Sequence, residues 1–215
     1  MSRIKAPARW LIFAAASLGC IAAAKRQIDD FHRAAAPFER LTGRRIDAAG
    51  GGVGELLGRR ALRCLDLSGS GLTDAELLDL QPDLEALAGL DRLVLGRTRV
   101  SDPGLEALER LGQLHSLDLQ NSPVSDAGLE HLRPLSGLRR LGLAGTRITD
   151  AGVRHLEALD GLHILWLGRT RLTDECLPRL ARLNELEVLS LEHTQISDAG
   201  VRWLEAALPE CEIIR

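Results

Sequence analysis

The sequence predicts an α/β solenoid: a chain coiled as strand, turn, short helix and return, with its strands side by side in one parallel sheet. Three observations predict it. With Leu62, Leu90, Leu114, Leu138, Leu162 and Leu186 at position 1, six units align at spacings of 28, 24, 24, 24 and 24 residues, and self-similarity at such a period is the mark of a stacked repeat. Positions 4 (Leu65, Leu93, Leu117, Leu141, Leu165, Leu189) and 6 (Leu67, Leu95, Leu119, Leu143, Leu167, Leu191) are leucine in every unit. Within each unit the apolar period then changes from two to three residues, as expected where a strand gives way to a helical turn.

The strand is the first element. Leucines at positions 4 and 6 alternate with polar neighbours, so one face is buried and positions 3, 5 and 7 point the other way. Position 9, just past the strand, is a small hydroxyl in every unit (Ser70, Thr98, Ser122, Thr146, Thr170, Thr194), suited to bonding the backbone of the turn. Position 11 is aliphatic throughout: Leu72, Val100, Val124, Ile148, Leu172 and Ile196.

The helical segment follows. Position 12 is Ser or Thr and position 13 is Asp (Asp74, Asp102, Asp126, Asp150, Asp174, Asp198), a pair expected to cap the N–H groups of the helix that begins there. Aliphatic residues at position 16 and leucines at 19 and 22, such as Leu105, Leu108 and Leu111, fit a short α or 3₁₀ helix turned back onto the strand. The four extra residues of the first unit fall near Gln81 to Leu84, where a bulge would leave the strand register undisturbed. One unit alone has too few apolar side chains to fold, so neighbours must share a core.

The "L-x-x-L-x-L" core followed by a hydroxyl, an aliphatic residue and "[ST]-D-A-G-[LV]" resembles the leucine-rich repeat family. It is most similar to the 24-residue bacterial variety related to the cysteine-containing repeats of F-box proteins. The resemblance covers residues 62 to about 208. It implies a right-handed strand-turn-helix coil, a parallel sheet on a concave face, and protein binding, with no ligand common to the family. It also raises a substrate-recognition subunit similar to F-box-type repeat proteins, although residues 1–61 show no recognisable F-box.

The ends divide the chain further. Residues 25–61 are read as an N-terminal cap, with an amphipathic helix interrupted near Pro37, a first strand at Ile46 and a flexible "GGGVG" loop that lacks the Gly-Lys-Ser/Thr ending of a phosphate loop. Six repeats occupy 62–208. Residues 209–215 form a truncated last strand, in which Cys211 and Ile214 continue the apolar rhythm of Val201, Leu204 and Leu208. Residues 1–24 stand apart: Trp10 to Ala24 is an apolar stretch preceded by Arg3, Lys5 and Arg9, short for a membrane span and fitting a signal or an anchor. The preferred reading is an uncleaved single-pass anchor at residues 10–24 with the repeats outside the cytoplasm; the alternative is export after cleavage at Ala22-Ala23-Ala24.

Composition excludes some classes of function. Net charge is −3 and aromatic residues make up 3% of the chain, so neither a basic footprint nor stacking residues for nucleic acid are present. The cysteines are scattered; Cys64 and Cys176 lie four repeats apart, roughly 19 Å at strand spacing, too far to bridge. Cys64 should face outward beside Arg92, but no histidine is placed to act as its base, so no catalytic residue is assigned and the protein is read as non-enzymatic. His131 and His155 share one outer column, and His115 and His163 stand two repeats apart; two imidazoles make a poor metal site, and the six Asp do not converge. No metal or cofactor is expected.

A binding face remains. Trp166 is at an outward position, with Ile164 and Val188 close by and Gly142 leaving space beside it, forming an apolar anchor for a protein partner. Arg92 and Arg140 occupy position 3 of the same face. Arg97, Arg99, Arg147, Arg169 and Arg171 gather at positions 8 and 10 as a basic rim suited to carboxylates or phosphates. A purely structural envelope spacer is the competing reading.

Overall fold

The computed structural model of the protein describes residues 63–215. The anchor, the N-terminal cap and Leu62, all expected from sequence, lie outside the described residues. Seven three-residue strands form one sheet: β1 (Cys64–Asp66), β2 (Arg92–Val94), β3 (Ser116–Asp118), β4 (Arg140–Gly142), β5 (Ile164–Trp166), β6 (Val188–Ser190) and β7 (Glu212–Ile214). Their spatial order is their chain order, and every pair is parallel. Leu65, Leu93, Leu117, Leu141, Leu165 and Leu189 align in one row, each at most 1% exposed.

The return segments are helical, as the three-residue period requires. They are α1 (Asp74–Ala86), 3₁₀ segments at Asp102–Leu108, Gly128–Leu132 and Asp174–Cys176, and α2 (Val153–Leu156), α3 (Leu177–Leu180) and α4 (Asp198–Ala207). Their aliphatic edges close the core from behind: Leu77, Leu105, Leu129, Val153, Leu177 and Val201 at position 16 are all buried, as are Leu80, Leu108, Leu132, Leu156, Leu180 and Leu204. Each unit thus contributes to a continuous interior shared with its neighbours.

Two local expectations are corrected. The four extra residues of the first unit do not bulge; they lengthen α1 to 13 residues, with Leu77, Leu80 and Leu84 on its buried side, and β1 and β2 keep the common register. A helix absorbs four residues as about one more turn, so its apolar stripe is preserved. In β7, the residue opposite Leu189 is Ile213, and Ile214 is opposite Ser190 in the outward row. Ile213 and Cys211, rather than Ile214, pack against the core.

Hydroxyl groups at position 9 fasten each strand to its turn. Thr98, Thr146 and Thr170 donate to the carbonyls of Leu95, Leu143 and Leu167 at 2.6–2.7 Å, and Ser122 donates to Leu119 at 2.5 Å. The aspartates behave differently from the expected caps. The Asp102 carboxylate accepts the backbone N–H and the hydroxyl of Ser125 in the following unit, at 2.7 and 2.5 Å. The same double bond joins Asp74 to Ser101, Asp126 to Thr149, Asp150 to Thr173 and Asp174 to Ser197. In α4 the capping falls to the hydroxyl: Ser197 Oγ accepts from the Gly200 N–H at 3.0 Å while donating to Asp174. Position 13 is therefore a staple between units.

The staple explains the glycine two residues on. A methyl group at Gly128 would sit 2.5 Å from Asp102 Oδ1, and one at Gly200 2.5 Å from Asp174 Oδ1. Gly104 and Gly152 meet Asp74 and Asp126 in the same way. Cys176 fills this place in the fifth unit; its thiol is buried and donates to the Thr173 carbonyl. Burial first, and then the Asp150 carboxylate, push its pKa up to about 12. The first unit has Glu76 here, and Glu76 Oε2 turns back to accept from the Thr73 N–H and hydroxyl at 2.9 and 2.8 Å. It supplies the carboxylate that other units take from the repeat before.

Candidate functional site

The outward face of the sheet is built by positions 3 and 5 of every strand. Ile164 aligns with Arg140 on one side and Val188 on the other. Trp166 stands between Gly142 and Ser190. Trp166, Ile164 and Val188 are each half-buried and stand outside the core cluster. They share a face because strand side chains alternate, and neighbouring strands lie about 4.8 Å apart. Ile214 extends the patch from β7, beside Ser190.

The expected space beside Trp166 is occupied. A methyl group at Gly142 would lie 2.9 Å from Asp118 Oδ1 and 3.1 Å from Gln120 Nε2. The missing side chain is replaced by two from β3 and its turn, where Asp118 Oδ1 also accepts the Gln120 N–H at 2.9 Å. Toward the first repeats the face turns polar: Arg92 and Arg140 are exposed, and Cys64 is exposed opposite Arg92.

Past the strand ends, Arg97, Arg99, Arg147, Arg169 and Arg171 are all exposed. Their backbones are fixed. Arg97 and Arg169 donate to the carbonyls of Gln120 and Glu192, and Arg99, Arg147 and Arg171 to those of Leu72, Val124 and Ile148, at 2.6–3.0 Å. Arg97 and Arg169 hold φ of 56°, a left-handed conformation that costs most residues about 1 kcal/mol or more. The same column is filled elsewhere by Gly69, Asn121 and Gly145, which adopt it more readily, and by His193 at φ 54°. None of the five forms an ion pair with a described residue, whereas Arg179 and Arg182 on the helical side pair with Glu157 at 2.5 and 2.8 Å.

Three histidines pair with carboxylates, His115 with Asp91 at 2.9 Å, His131 with Glu109 at 2.7 Å and His163 with Glu187 at 3.5 Å, while His155 accepts from the Arg154 guanidinium at 3.1 Å. Among the described residues no group of three or more His, Cys, Asp or Glu is placed to hold a metal ion. Cys64, Cys176 and Cys211 are free thiols. A polar cavity of about 460 Å³ opens among the residues that lead into β4, β5 and β6, lined by Arg139, Asp160, Gly161, His163, Asn184 and Glu185. Its cation is partly committed, since Arg139 donates to the Gly161 carbonyl at 2.8 Å.

One surface group escaped the sequence reading. Trp203 on α4 is 48% exposed, in the outer helical column that also holds His131, His155 and Arg179. The signal was available: Val201, Leu204 and Leu208 carry the buried stripe, and Trp203 falls off it. Among the described residues no helix is long and apolar enough to cross a membrane.

The sequence matches no family model and no curated protein. Solved structures do resemble the fold. The internalin inlF of Listeria monocytogenes is 23% identical with a TM-score of 0.58, over 76% of this chain and 50% of that one. Internalin C2 of the same organism is 23% identical with a TM-score of 0.50, over 72% and 71%. A leucine-rich repeat protein of Leptospira interrogans is 21% identical with a TM-score of 0.48, over 73% and 49%. The chain thus spans about half the length of the inlF structure it resembles. With six units in a common register, one parallel sheet and this likeness, the chain has the leucine-rich repeat fold, an α/β solenoid.

Proposed function

We propose that the protein is a non-enzymatic binding module that recognises a protein partner through the outward sheet face around Trp166, on the concave side of the solenoid. The observation that carries this reading is the row Ile164, Trp166 and Val188, apolar and outside the core on adjacent strands in fixed register. Apolar area left on a rigid platform is where binding energy concentrates. Arg92 and Arg140 continue the face toward the first repeats, and Arg97, Arg147 and Arg169 border it. Residues 10–24 hold the module at a bacterial membrane with the repeats outside the cytoplasm; their apolar run between basic flanks supports this.

The test is capture from the native membrane fraction with the full chain and with Trp166→Ala. A partner retained by the first and lost by the second, with unchanged circular dichroism, is the expected result. Equal capture by both sinks the reading and favours a structural spacer.

A further inference from the structure

Resting on that reading, we infer that the face takes an acidic protein segment carrying one apolar anchor: the anchor sits on Ile164, Trp166 and Val188, and its neighbouring carboxylates pair with Arg147, Arg169 and Arg171. Three independent features lead there. The three arginines belong to the fourth and fifth units, the fifth of which also supplies Ile164 and Trp166, and none of them forms an ion pair with a described residue. Positions 8 and 10 contain no Asp or Glu in any unit. Arg169, like Arg97 and His193 in the same column, occupies a left-handed site that glycine or asparagine fills more easily, and of these three it is the one in the unit that carries Ile164 and Trp166.

Geometry sets the size of the occupant. Arg169 follows Trp166 by three residues, the last two of them in a turn, so their backbones lie at most about 10 Å apart and a segment of up to about four residues spans from apolar anchor to cation. The guanidinium fork matches a carboxylate in two parallel bonds. A phosphate-rich polymer would satisfy the arginines but leave Ile164, Trp166 and Val188 uncovered, which favours a protein segment. Opposing charge near the trio is limited: Glu192 is exposed at position 7 of the sixth unit, and the Asp118 carboxylate is engaged with its own turn.

The experiment is selection of a phage library of random twelve-residue peptides on the full chain in detergent, followed by titration of the recovered peptides. The expected result is enrichment in Asp and Glu around an aromatic or aliphatic residue, with affinity at least about tenfold weaker for Trp166→Ala and for Arg147→Ala/Arg169→Ala/Arg171→Ala. Affinity should also fall when salt rises from about 0.1 to about 0.5 M, and be unchanged in Arg182→Ala. Arg169→Gly separates binding from folding, because it relieves the left-handed backbone: its melting temperature should hold or rise while the peptides bind more weakly. Peptides that need Trp166 but show no acidic bias, or that ignore the arginine variants, overturn the inference and leave the binding module standing. Failure to recover any Trp166-dependent peptide removes both.

Discussion

The carboxylate of Asp126 accepts the backbone N–H and the hydroxyl of Thr149, 23 residues later, at 2.8 and 2.6 Å. This is a joint between two repeats, made at a part-buried site where an orphaned donor is costly. Asp126→Ala should therefore lower stability by about 1–3 kcal/mol. Asp198→Ala should cost under about 1 kcal/mol, because Asp198 ends the series and its ion pair with Arg215 is exposed. Urea unfolding of both variants checks the difference; equal losses would mean the joint contributes nothing beyond a surface charge.

The glycine that receives the staple gives a second prediction. Gly128→Ala drives a methyl group against Asp102 Oδ1 at 2.5 Å and Leu105 Cδ1 at 3.0 Å, so one side of the joint must shift, at about 1–3 kcal/mol. At Gly112 nothing lies within 4 Å of the added carbon. Gly112→Ala should leave the melting temperature within about 2 °C of the parent.

Thiol reactivity should sort by position. Cys64 is exposed, while Cys176 is buried with its pKa pushed up to about 12, and only the thiolate reacts. Iodoacetamide at pH 8, read by peptide mass spectrometry, should label Cys64 in the folded protein and Cys176 only in denaturant. Cys211 should lag behind Cys64, since burial and the neighbouring Glu212 raise its pKa. Early labelling of Cys176 would mean that the fifth unit opens readily.

Acid should loosen the last joint. Hydrogen bonds from the Ser197 hydroxyl, and then from its N–H, hold Asp174 below its ordinary value of 3.8. A lowered folded-state pKa stabilises above the unfolded value, and that stabilisation is lost as pH falls through the lowered one. The protection of the Ser197 amide against hydrogen exchange, relative to a free peptide at the same pH, should thus fall below about pH 4, and Asp174→Asn should flatten that dependence.

Much of this architecture could be read from the chain because it rests on short-range patterning. Leu93, Leu117 and Leu141 recur every 24 residues in the alternation a strand requires, and steric rules leave them one buried face. The direction of the Asp126 carboxylate was not legible, because a residue beside a helix start has a local use and a distant one that look alike in sequence. The clue lay in pairs: glycine, or Cys176 in the fifth unit, stands two positions after the aspartate where a preceding unit supplies a carboxylate, and Glu76 stands there in the first unit, which it caps itself. Ile213 and Ile214 are equally apolar, and only the register against Leu189 decides between them. The outward placement of Trp166 followed from the same alternation as the leucines, whereas the filling of the Gly142 gap depended on the reach of Asp118 and Gln120 from another strand. The anchor and the N-terminal cap fall outside the described residues.

Each repeat carries a plug, its aspartate, and most carry a matching socket, the glycine two places on. Gene duplication of a 24-residue stretch copies both halves together, so a new copy fits its neighbours without further change. Two units differ: Cys176 stands in the socket of the fifth, and in the first Glu76 occupies the socket and bonds Thr73 from within the unit. Growth of the array by whole units downstream of the first therefore needs no new joint to be invented, which makes its length adjustable.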